Sequence, residues 1–146
     1  MIAEYFIDRN VLLYAGSNAP DDQAKRQIAR QLLSTSTIGF SAQVLQEFYV
    51  AAVTKKRLQM THDEAVAVLG ALDAFPVYPV TRLLVFAGIA LKGKFNISYW
   101  DAAIIAAAKQ LGCHTVYSED LNDGQDYDGV RVLNPFRADG TSEAGR

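Results

Sequence analysis

Four carboxylates in this 146-residue chain, Asp8, Glu47, Asp101 and Asp120, stand at the ends of strands or beside apolar helix faces. Asp8 ends an apolar, strand-forming run, Tyr5 to Ile7, and is followed at once by the helix-compatible run Val11 to Tyr14. A carboxylate between a strand and a helix lies at the carboxyl edge of a sheet, where open α/β sheets bind ligands. Glu47 borders the apolar arc of a helix carrying Val44, Leu45, Phe48, Ala51 and Ala52. Asp101 sits in the first turn of a helix apolar nearly all round, and Asp120 follows the strand His114 to Ser118. If these elements converge, like charges a few ångströms apart raise one another's pKa and destabilise the fold unless a cation is present. A hard ion with oxygen ligands, Mg²⁺ or Mn²⁺, suits such a set, whereas Zn²⁺ would want the His and Cys that are scarce here. An ion of this kind activates water and neutralises charge on a phosphoryl group.

Each acid also has a plain structural account. Asp8 is a good helix N-cap. Glu47 could be a solvated helix residue, and Asp120 a turn residue, as Asp123, Asp126 and Asp128 read. Asp101, three residues after Ser98, fits a capping box at least as well as a site.

The elements that would position these acids alternate. After the first strand and short helix, Gly16 to Asp22 read as a loop, and Asp21 or Asp22 as the cap of a helix running to about Leu33. A strand over Thr37 to Ser41 follows, then a helix from Ala42 to about Arg57 closed by the cations Lys55, Lys56 and Arg57. Thr61 and Glu64 form a capping box for the next helix, with His62 exposed in its first turn. The two prolines of Phe75 to Val80 make that stretch an edge strand. Helices from Thr81 to about Lys94 and from Ser98 to Leu111 lead to the strand at 114–118, an acidic loop over Leu121 to Gly129, and a final strand Val130 to Leu133. Strands alternating with helices predict one α/β domain: a central, mostly parallel sheet of four to five strands with helices on both faces.

Composition bounds the function. Fourteen Lys and Arg against 16 Asp and Glu leave a net charge of −2, which excludes a strongly basic, non-specific nucleic-acid binder. A nucleic acid would have to be held by local basic patches. The single Cys, Cys113, allows no intramolecular disulfide and reads as a small buried hydrophobe. No apolar run is long enough to span a membrane, and the N-terminus lacks the basic start of a signal peptide, so a cytoplasmic protein is expected.

The stretches Phe6 to Ala15, Ser41 to Phe48, Tyr99 to Ile104 and Val116 to Asp120, in this order and spacing, resemble the PIN-domain ribonucleases, especially the VapC-type toxins of bacterial toxin–antitoxin modules. The likeness runs from Ile2 to about Phe136, which makes 1–136 a PIN-like domain and 137–146 a disordered tail. It implies a metal-dependent endoribonuclease with Asp8, Glu47, Asp101 and Asp120 as ligands of Mg²⁺ or Mn²⁺. Asn10 and Ser118 would orient them, with Asp123 as an alternative or aid to Asp120. It also implies an RNA substrate, a cognate antitoxin and a homodimer. Lys25, Arg26, Arg30, Lys55, Lys56 and Arg57 are candidate contacts to RNA phosphates. Arg9 departs from the small hydroxyl residue often found at its place in that family. Two rival readings are a non-catalytic RNA- or partner-binding module and an aspartate-dependent phosphatase. The phosphatase would want a second acid where Asn10 stands.

Overall fold

The computed structural model describes residues 3–35 and 37–137. The chain opens with β1 (Tyr5–Ile7) and α1 (Arg9–Gly16), then a 3₁₀ turn at Pro20–Asp22 and α2 (Gln23–Ser34). Next come β2 (Ile38–Ser41), α3 (Ala42–Thr54), a second 3₁₀ turn at Lys56–Leu58 and α4 (His62–Ala71). The remainder is β3 (Val77–Tyr78), α5 (Arg82–Phe95), α6 (Tyr99–Gln110), β4 (Thr115–Tyr117), β5 (Asp126–Tyr127) and β6 (Val130–Leu133).

The strands form one six-stranded sheet in the order β3-β2-β1-β4-β6-β5, parallel except for the antiparallel β5. From β1 the chain steps through β2 to the β3 edge, then returns across the sheet to β4 on the far side of β1. Because parallel crossovers are right-handed, α1 to α4 cover one face and α5 and α6 the other. The order of strands reverses between β1 and β4, so their carboxyl ends form the switch point where such sheets leave a crevice. Phe6, Ile7, Ile38, Phe40, Val116 and Val132 are fully buried between the helical layers. On the second face α5 and α6 approach closely at Gly88, where a Cβ would stand 3.0 Å from the Tyr99 ring and 3.4 Å from Ala103 Cα. The small Ala102, Ala103, Ala106 and Ala107 of α6, all buried, admit that approach.

Several expectations hold at the level of local chemistry. Thr61 and Glu64 make both bonds of the capping box, and His62 is exposed. Ser41, Thr81 and Ser98 cap α3, α5 and α6 through their hydroxyls. Cys113 is buried just after α6.

Other expectations are corrected. Asp22 precedes α2 without capping it through its side chain. Its carboxylate instead accepts from the Ser17 hydroxyl at 2.6 Å and from Arg57 at 3.0 Å. Helix α3 ends at Thr54, so Lys55 to Arg57 lie beyond it and not within its last turn. The strand count is six because the acidic loop holds β5, which turns back on β6 through Asp128 and Gly129, both at positive φ. Residues 138–146 of the expected tail lie outside the described residues, while Arg137 is described and pairs with Asp123.

Candidate functional site

Asp8 stands at the carboxyl end of β1, its main chain extended and its N–H bonded to Tyr117 O on β4. It is 2 % exposed. Its Oδ1 accepts the Arg9 N–H at 2.7 Å, so the helix-capping role is partly real, while Oδ2 accepts the Ser118 hydroxyl at 2.7 Å. Burial pushes the carboxyl up to about 6. The bonds from Ser118 and the Arg9 backbone, and the Arg9 charge, pull it back, and Asp120 adds to the rise. Ser118 Oγ also accepts the Asp120 N–H at 3.1 Å, so one buried hydroxyl fixes both the Asp8 carboxylate and the backbone that carries Asp120.

Glu47 comes from the second turn of α3, its side chain 28 % exposed, and Asp120 from the turn after β4, 42 % exposed. Both reach Arg9. The guanidinium lies 3.3 Å from Glu47 Oε1, 3.1 Å from Asp120 Oδ2 and 4.0 Å from Asp8 Oδ1. Three acids from three elements thus surround one cationic group at the switch point. Gln43, one turn before Glu47, donates to Glu47 Oε2 at 3.0 Å and to the Trp100 carbonyl at 3.2 Å, tying α3 to the start of α6. Asp101 follows Trp100 there, half-buried, and joins the cluster only at this remove. Its N–H bonds to Ser98 Oγ at 3.1 Å. Among the described residues its carboxylate makes no reciprocal bond to Ser98, unlike that of Glu64 to Thr61. The capping box expected at Asp101 is therefore only half made.

Asn10 is buried; its Oδ1 accepts the Glu119 N–H at 3.4 Å, and its Nδ2 is left without a partner. Asp123 is committed elsewhere, accepting from the Asn134 N–H at 2.7 Å and from Arg137 at 2.8 Å. Most of the candidate RNA-contacting cations have structural employment too. Lys25 pairs with Glu119 at 2.6 Å and lies over the Tyr14 ring. Burial opposes its charge, but the bonds to Glu119 and Tyr14 prevail and raise its pKa. Arg26 and Arg30 donate to the Ser17 and Ala15 carbonyls at and just past the end of α1, and Arg57 holds Asp22. Lys55 and Lys56 are exposed and have no recorded partner among the described residues. Lys55 lines a groove of about 510 Å³ with Arg9, Glu47 and Val50.

Sequence reasoning passed over Gln43 and Glu119, and noted Arg9 only as a departure. Gln43 had a signal, since a Gln one helical turn before Glu47 lies on the same face. The role of Glu119 depends on Tyr14 and Lys25, far away in sequence, and no local pattern announces it.

The model of the PIN domain family matches residues 5–123. The chain belongs to the PIN domain family. Among solved structures, the VapC20 toxin of Mycobacterium tuberculosis, described as cleaving the sarcin–ricin loop, is 21 % identical with a TM-score of 0.63. That match covers 80 % of this chain and 90 % of the toxin. DNA-bound VapBC from Salmonella typhimurium is 18 % identical at TM-score 0.63, covering 90 % and 97 %. A toxin–antitoxin complex from Klebsiella pneumoniae is 20 % identical at 0.63, covering 92 % and 99 %. At these identities the likeness is one of fold. No curated protein sequence matches the chain significantly.

The donor chemistry suits a hard cation: oxygen atoms only, one carboxylate buried and two part-exposed, with Glu47 lining the groove. Yet among the described residues no three of His, Cys, Asp and Glu stand close enough together to hold an ion. The Arg9 guanidinium occupies the space between the carboxylates. No described helix is long and apolar enough to cross a membrane.

Proposed function

We propose that this PIN-domain protein is a metal-dependent endoribonuclease, the toxin of a toxin–antitoxin pair, with Asp8, Glu47, Asp101 and Asp120 as the ligands of Mg²⁺ or Mn²⁺. The observation that carries the reading is the gathering of Asp8, Glu47 and Asp120 within 4.0 Å of one cationic group at the switch point of the sheet. When bound, the ion would supply a water of lowered pKa and neutralise charge on the phosphodiester. The protein does the positioning. Ser118 and the Arg9 N–H hold the Asp8 carboxylate in one orientation. Gln43 holds Glu47 at the rim of the groove, where it can take a proton from a water entering from solvent. Lys55 and Lys56 are the cations left to meet RNA phosphates, since Lys25, Arg26, Arg30 and Arg57 are engaged within the fold.

Protein partners fit the surface. Leu83, Phe86 and Ile89 form an exposed apolar arc on α5, 79, 54 and 51 % exposed, and such patches mark interaction sites. We assign this arc to a homodimer. The antitoxin partner is supported by the complexes in which the similar folds occur. A non-catalytic PIN-like module is the second reading, and one observation favours it: Arg9 already compensates the acids from within the chain.

The deciding experiment incubates the protein with single-stranded or loop RNA in Mg²⁺ or Mn²⁺. Cleavage that EDTA abolishes, and that Asp8→Asn and Asp101→Asn lose while remaining folded, supports the nuclease. Cleavage undiminished in excess chelator refutes the metal reading, and its absence in every metal tried favours the binding module.

A further inference from the structure

Among the described residues, the cationic group that touches three of the four acids is the chain's own Arg9. Arg9 Nη1 lies 3.3 Å from Glu47 and 4.0 Å from Asp8, and Nη2 lies 3.1 Å from Asp120. A guanidinium and a divalent cation repel each other and compete for the same carboxylate oxygens, so both cannot be held there together. We propose that Arg9 is a tethered counter-ion that takes the cation's place in the metal-free protein, so that metal loading is a competition with Arg9 and Arg9 sets the metal affinity. The inference rests on the metal reading given above and concerns the same site.

Three features of the structure make Arg9 suited to leaving. Its backbone is fixed, with its N–H bonded to Asp8 Oδ1, so only the flexible side chain has to move. That side chain is 33 % exposed and lines the groove of about 510 Å³ along α3, which offers it room. The carboxylates would not collapse on its departure, because Gln43 holds Glu47 and Ser118 holds Asp8 and the backbone of Asp120. With the guanidinium in place no three acids among the described residues stand close enough for an ion, so loading requires the carboxylate side chains at the rim to draw in as Arg9 leaves. Its ion pairs are half-exposed and therefore weak, which makes the exchange feasible. A small hydroxyl residue at this position would leave the acids with no such competitor.

The test measures Mn²⁺ binding to the full chain after chelator treatment, from the loss of the free-ion electron paramagnetic resonance signal. Wild type, Arg9→Gln, Arg9→Lys and Asp8→Asn are compared. Arg9→Gln should bind Mn²⁺ at least about tenfold more tightly than wild type, since a unit charge opposing the ion is removed. It should also melt lower than wild type in EDTA and gain more from added Mn²⁺. Arg9→Lys keeps the charge without the fork that spans two carboxylates, so its affinity should fall between the two; it serves as the comparison if Arg9→Gln does not fold. If wild type binds, Asp8→Asn does not, and neither Arg9 variant binds more tightly, the counter-ion role is overturned while the metal reading stands. If wild type and both Arg9 variants all fail to bind, the metal reading falls and takes the inference with it. Binding by Arg9→Gln alone supports the competition in its strongest form.

Discussion

Asp8→Asn in the metal-free protein is the sharpest probe of the site. Burial holds the Asp8 carboxyl at about 6 in the folded chain, against an ordinary value of 3.8. The folded state therefore binds a proton that the unfolded chain releases, and stability falls as the pH rises from 3.8 towards 6. At 1.36 kcal/mol per pH unit, ionising Asp8 costs the fold about 1 kcal/mol at about pH 4.5 and about 3 kcal/mol at about pH 7.5. Asparagine does not ionise and escapes that cost. It keeps an acceptor for the Arg9 N–H but turns an NH₂ towards the Ser118 hydroxyl, which loses about 1 kcal/mol at every pH. The variant should thus match wild type at about pH 4.5 and exceed it by about 2 kcal/mol at about pH 7.5. Urea unfolding in EDTA at the two pH values measures both differences by linear extrapolation. Two curves displaced by the same amount at both pH values would refute the reasoning and reduce Asp8 to a helix cap.

Asp101→Glu should fold at near wild-type stability, because α6 keeps its Ser98 cap and an acid in its first turn. It should cleave RNA far more slowly, because an Mg²⁺ site tolerates a shifted carboxylate poorly; full activity would remove Asp101 from the site. Cys113, whose thiol burial pushes up to about 12, should resist a thiol reagent at neutral pH in the folded protein and react once urea unfolds it. Phe86→Glu should convert a dimer to a monomer in light scattering and lower the melting temperature only by what association contributes, since the side chain is exposed in the single chain. Persistence of the dimer would move the interface off α5.

What could be read from the sequence follows the range of the interactions involved. The strand-to-helix handover at Asp8, the capping box at Thr61 and Glu64 and the Ala-rich α6 are written in neighbouring residues, and the structure has them. The parallel sheet followed from the alternation of elements. β5 was hidden because two residues in an acidic loop carry no periodicity, and it is formed only by pairing with β6. Asp22 read as a cap because Asp before a helix usually is one, but Ser17 and Arg57 claim its carboxylate first. The candidate RNA-contacting cations show the same limit. Arg26, Arg30 and Arg57 look free to meet phosphates in sequence, and their partners are carbonyls and a carboxylate brought close only by the fold.

The acids themselves call for a different kind of argument. In sequence, their convergence demands a cation from outside the chain; in the structure, Arg9 supplies one from within, so the demand alone no longer implies a metal. The strength of that internal compensation then decides the matter. Pairs such as Arg9 with Glu47 and Asp120 are part-exposed and screened, and exposed pairs contribute about 0–1 kcal/mol. The buried partner gains little from Arg9: with the guanidinium 4.0 Å away, Asp8 still titrates near 6 and costs the fold about 3 kcal/mol at neutral pH. A network kept for stability would place its strongest pair on its most buried charge, and this one places its closest contacts on the two part-exposed carboxylates. Arg9 therefore shields the rim and leaves the buried Asp8 largely uncompensated, a stability cost that the metal-binding role proposed above would explain.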